Sequence, residues 1–110
     1  MAEISGGDMA RQFLKGELDA CGIEPLTFEG YEHLIDPAPG ANLLALIPGT
    51  DESLGDRHVL ISAHYDHLGM GGEGSLHRGE PAIHNGADDN ASGVAVLLQL
   101  AQRLARWPES

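Results

Sequence analysis

From His64 to Asn90 the chain shows neither a helical nor a strand period, and this aperiodic stretch constrains the fold more than any other feature. It holds four of the six histidines and, with Gly93, seven of the fifteen glycines. Connections this long are uncommon in a compact domain unless they are functional or disordered. The regular elements must therefore lie on either side of it, and polar chemistry is most concentrated within it.

On the amino-terminal side, Ser5 followed by Asp8 resembles a capping box, and Met9, Phe13, Leu14, Leu18 and Cys21 recur about once per helical turn. This predicts a helix over 6–21 that Gly22 stops, with an extended segment from Pro25 to Phe28. Residues 29–40 read as a loop that could hold an edge strand. The apolar runs 42–47 (NLLALI) and 58–63 (HVLISA) are bounded by Pro, Gly, Asp and Thr, as in strands buried on both faces. The turn-forming linker 48–57 makes an antiparallel hairpin of these two runs the simplest connection. Beyond Asn90, the stripe Val94, Leu97, Leu98, Ala101, Leu104 and Ala105 predicts a helix over about 91–106. Ala95, Val96 and Leu100 widen the stripe, so its first turns should be buried nearly all round, and Trp107-Pro108 ends it. The expected architecture is α/β: a mixed β-sheet flanked by helices, in a single domain over residues 1–110.

At 110 residues there is room for one domain with a modest core. A net charge of −11 without a Lys or Arg cluster excludes the electrostatic footprint of a nucleic-acid or anionic-membrane binder. The apolar runs are far shorter than the roughly 18–20 residues that span a bilayer, so no membrane partner is expected. The first residues lack the basic start and apolar core of a signal peptide, so any export signal of a parent protein lies outside this chain. Cys21, the one cysteine, excludes an internal disulfide and a multi-cysteine zinc site and reads as a small buried hydrophobe.

Two motifs could carry chemistry. In SAHYDHLG (62–69), residues two apart in an extended segment face the same way, which brings His64 and Asp66 side by side. A metal-ligating imidazole usually donates its second ring N–H to a carboxylate, a role open to Asp66. The alternative is a polar strand end with surface side chains. In HNGADDNASG (84–93), two carboxylates precede a helix; carboxylates can bridge paired metals about 3.5–4 Å apart. Ordinary capping is the alternative, with Asn90 or Ser92 as the cap and Asp88 and Asp89 at the positive end of the macrodipole. Both motifs together, in this order, favour a metal site.

The segment NLLALIPGT…HVLISAHYDHLG…HNGADDNASGVAVLLQLAQRLA resembles the first half of the co-catalytic zinc exopeptidases, the group of bacterial leucyl aminopeptidases, aminopeptidase Y and glutamate carboxypeptidase II. The likeness covers most of the chain. It implies a partial, truncated zinc-exopeptidase fold (phosphorylase/hydrolase-like) and hydrolysis of terminal peptide bonds in a parent enzyme, with a peptide as substrate. It also implies two zinc ions in the complete site, with His64 binding one of them and Asp89 as the bridging carboxylate, often followed by a cis peptide. Asp66 would be the catalytic group behind His64, and Asp88 would not be a ligand. Such enzymes are often secreted or periplasmic.

A two-zinc site needs about five ligand residues, and this chain matches two. The family's general-base Glu, the adjacent Glu ligand and the later Asp and His all follow the helix ending near Arg106, after which only Trp107, Pro108, Glu109 and Ser110 remain. The expectation is therefore an inactive amino-terminal fragment that self-associates through exposed sheet edges. Rival readings are a non-catalytic protein-binding module on the same fold, as in relatives resembling transferrin receptor or nicastrin, and a glutaminyl cyclase-like single-zinc enzyme. Gly69, Gly71 and Gly74 match the dinucleotide fingerprint in spacing only, since no helix opens at Gly74. Asn90-Ala91-Ser92 is formally a glycosylation acceptor but lies against the expected site. His67, His77 and His84 read as loop residues. Neither a Gly-x-Ser-x-Gly elbow nor His-Glu-x-x-His occurs.

Overall fold

A computed structural model describes residues 5–37 and 40–107. Helix α1 (Gly6–Ala20) opens on the expected capping box: the Asp8 N–H donates to Ser5 Oγ (3.1 Å) and the Ser5 N–H to the Asp8 carboxylate (3.3 Å). It ends where Gly22 takes φ +73°, a conformation glycine reaches without a Cβ penalty. The Gly22 N–H then donates to Asp19 O (2.9 Å) and the Ile23 N–H to Leu18 O (3.2 Å), satisfying carbonyls the helix end would leave open. Of the predicted apolar stripe only Leu14 is buried; Met9 and Phe13 are exposed and Cys21 is half-buried, against the expectation of a buried thiol.

After α1 come β1 (Glu24–Pro25), β2 (Glu32–Leu34), β3 (Ala41–Leu43) and β4 (Ala45–Leu46). They form two antiparallel pairs: β1 with β4 (Glu24↔Leu46, Pro25↔Ala45) and β2 with β3 (Glu32↔Leu43, His33↔Asn42, Leu34↔Ala41). Glu32 ties β2 to α1 through Arg11 (3.0 Å) and Lys15 (3.3 Å). The Tyr31 hydroxyl donates to Ile23 O, and burial pushes that phenol above its ordinary range. Leu14, Ile23 and Ala41 make the core of this part.

The expected hairpin of 42–47 with 58–63 does not form. The first run is divided between β3 and β4, whose partners are the earlier segments at 32–34 and 24–25. Among the described residues, 58–63 enters no ladder, and Val59 and Leu60 are 89% and 82% exposed rather than buried on both faces. An apolar run reports what can be buried, whereas pairing depends on which other segment the fold lays alongside it. The linker instead holds a short 3-10 turn (Glu52–Leu54), where Asp51 accepts from the Ser53 N–H (2.9 Å) and hydroxyl (2.6 Å), holding its carboxyl below the ordinary range.

Helix α2 (Ser92–Ala105) lies within the predicted span, but none of its residues is buried. Val94, Leu97, Leu98 and Ala101 are half-buried while Ala95 and Val96 are exposed, so one face rather than the whole circumference is shielded. Pro108, expected to end the helix, lies outside the described residues, as does Glu109. The chain divides into two compact units, one built from the described residues up to Leu60 and from Leu98 onward, the other from Ile61 to Leu97. The small α/β content, helices with antiparallel sheets, agrees with the expected class. Among the described residues no helix is long and apolar enough to cross a membrane.

Candidate metal centre

The aperiodic stretch lies inside the second unit, and its two ends meet there. His64 enters from the end of the 58–63 run. Asp89 enters from a wide turn over Ala87–Ala91, closed by the Ala91 N–H donating to Gly86 O (2.9 Å). Inside this turn Asp89 (φ −118°, ψ 88°) and Asn90 (φ −138°, ψ 33°) leave helical dihedrals, and the peptide between them is cis.

His64 is engaged at both ring nitrogens. Nδ1 lies 3.2 Å from Asp66 Oδ1 and 3.3 Å from the Asp66 carbonyl, while Nε2 lies 3.1 Å from Asp89 Oδ1. A neutral imidazole has one N–H. With that proton on Nδ1, facing two acceptors, Nε2 presents a lone pair to a carboxylate oxygen. Two acceptors so close need a positive centre in common, either a second ring proton or a metal ion. The edge of a tetrahedral shell with bonds of about 2.0–2.1 Å is about 3.3 Å, so the His64–Asp89 spacing suits two donors to one zinc. His64, Asp66 and Asp89 are all more than half exposed and so open to solvent and solutes.

The structure thus brings all three sequence-selected residues together, by way of the period-two spacing at one end and the returning turn at the other. Among the described residues no group of three or more His, Cys, Asp or Glu side chains could hold a metal. The other loop histidines have different partners. His84 Nε2 pairs with Ser75 Oγ (2.6 Å) and its Nδ1 with Ala82 O (2.9 Å); His77 Nε2 pairs with Glu80 O (3.0 Å). The rings of His67 and His77 each lie 6.0 Å from that of His84.

The side chains of Asn90 and Ser92 both bond to backbone carbonyls. The Asn90 amide nitrogen donates to the His64 carbonyl (3.1 Å), and the Ser92 hydroxyl donates to Asp88 O (2.6 Å). The Asn90 contact was invisible to local reasoning because its partner lies 26 residues away. A usable signal was present nonetheless: an isolated glycine, Gly93, inside an apolar helical pattern, three residues after Asn90.

Residues 42–110 match the family model of Peptidase family M28. A stretch of 48 residues is 44% identical to the BOS complex subunit NCLN of Gallus gallus, taking in 44% of this chain. The match spans only 7% of that relative's length. No solved structure matches.

Proposed function

The chain belongs to peptidase family M28, and from that premise we propose that it carries part of the site of a zinc-dependent exopeptidase that hydrolyses terminal peptide bonds. His64 and Asp89 are the metal donors on this reading, and Asp66 orients His64. The observation that carries it is the 3.1 Å approach of His64 Nε2 to Asp89 Oδ1 with the opposite ring nitrogen held by Asp66. When bound, zinc supplies a Lewis acid and a water whose pKa falls toward neutrality. The protein's part is to turn the Nε2 lone pair toward the metal, which Asp66 supports by accepting a hydrogen bond from the Nδ1 N–H, and to hold the Asp89 oxygen beside it.

A general base must stand within about 2.6–3.2 Å of the attacking water, or one water away. Glu73 and Glu80 lie in the loop, and among the described residues neither joins His64 and Asp89 in a group of three or more possible metal donors. Two donors and no fixed base predict weak zinc binding and no turnover by these residues alone. Calorimetric titration with zinc should show binding in the 110-residue chain that is lost in His64→Ala and in Asp89→Ala. Amino-acid anilides with zinc should not be hydrolysed by the same chain. Absence of zinc binding in the unaltered chain overturns the metal reading; turnover abolished by His64→Ala would instead make Glu73 or Glu80 the base.

One observation favours a second reading, a non-catalytic protein-binding module: the matching relative is named as a subunit of a complex. On that reading zinc does not bind, and His64→Ala leaves partner binding unchanged.

A further inference from the structure

Asp89 and Asn90 are neighbours, and both reach His64. Asp89 meets the ring at Nε2 (3.1 Å), and the Asn90 side chain meets the backbone carbonyl of the same residue (3.1 Å). A carbonyl only accepts, so the amide group facing it must be the NH2 end. Holding a ring by its far nitrogen leaves the backbone beneath it free to move. Holding the carbonyl as well fixes where the ring starts.

Gly93 is the second, independent part. It lies in the first turn of α2, with φ outside the left-handed region, so its backbone does not call for glycine. Its backbone would accept alanine, so what sets this position apart is the space beside it. A Cβ at this position would stand 2.3 Å from Asn90 Oδ1, 2.8 Å from Nδ2 and 2.9 Å from Cγ. Separations under 3 Å cannot be kept, and the group that would have to leave is the amide gripping His64.

We propose that Asn90 is a positioning residue that clamps the His64 backbone beneath the metal-donor ring, and that Gly93 is glycine because the clamping amide occupies the place of its side chain. The inference rests on the metal reading of His64 and Asp89 for its consequence, but the clamp itself is a property of the metal-free chain.

The test joins two measurements on the 110-residue chain. In metal-free NMR spectra, one side-chain amide proton of Asn90 should lie downfield and exchange slowly with solvent, and Gly93→Ala should abolish that signature. In zinc titrations, Asn90→Ala and Gly93→Ala should each weaken binding by about tenfold or more, the loss typical of groups that orient a ligand. The double variant should be no weaker than Asn90→Ala, because Gly93 acts only through Asn90. A glycine that matters only for packing behaves differently: alanine there would change thermal stability and leave the affinity alone. A freely exchanging Asn90 amide in the unaltered chain overturns the clamp whether or not zinc binds. Wild-type affinity in Asn90→Ala overturns its role toward the metal. If the unaltered chain shows the protected amide but binds no zinc, the clamp stands and the metal reading falls.

Discussion

Three side chains meet His64, those of Asp66, Asp89 and Asn90, and each contact has a different consequence. Asp66 offers Nδ1 two acceptors, its carboxylate at 3.2 Å and its backbone carbonyl at 3.3 Å. Removing only the carboxylate leaves the carbonyl to hold the tautomer. Asp66→Ala should therefore weaken zinc binding toward the lower end of the 10- to 100-fold range usual for such partners, about tenfold. Calorimetry beside His64→Ala checks it: unchanged affinity would show that the backbone carbonyl alone orients the ring. At this scale the sequence was legible where spacing encodes geometry. His64 and Asp66 lie two apart in one extended segment, and Asp89 sits at the returning end of the same loop. Asn90 was not legible, because its residue type suits a helix cap and its partner is far away in sequence.

The helices were readable and the strand pairing was not, for a physical reason. A helix closes its hydrogen bonds within one segment, so Ser5, Asp8 and Gly22 define α1 by local chemistry. A strand is completed by a partner, and 42–47 had three candidates in 24–25, 32–34 and 58–63. The cap also makes a prediction. Ser5→Ala removes the hydroxyl that accepts from the Asp8 N–H and should cost about 1 kcal/mol in urea unfolding. The hydrogen bonds from Ser5, with the Arg11 guanidinium nearby, hold the Asp8 carboxyl below its ordinary value of 3.8. A lowered folded-state pKa gives stability that is complete above the ordinary value and disappears as pH falls through the lowered one. The stability difference between the protein and Asp8→Asn should thus be constant above about pH 5 and shrink below about pH 4. A difference that grew on acidification would show that the carboxylate is not the stabilised form.

At the scale of the whole molecule, charge and apolar exposure oppose one another. The chain carries a net charge of −11, which keeps copies apart. Against that, Val59 and Leu60 are 89% and 82% exposed in a run that enters no ladder among the described residues. Such a run offers open backbone donors and acceptors to a second chain, and apolar side chains to cover once it pairs. Repulsion between like-charged copies acts over about 10 Å at 0.1 M salt and about 3 Å at 1 M, whereas burial of apolar surface is not screened. Self-association should therefore increase with sodium chloride, the reverse of a contact made by ion pairs. Sedimentation velocity at low and high salt reads this directly. Leu60→Lys places a charge in the run, a common protection of strand edges, and should keep the chain monomeric at both. An unaltered chain that stays monomeric at high salt would show that 58–63 is not an adhesive edge. Association that persists in Leu60→Lys would place the contact on another exposed apolar residue, Phe28 or Leu76.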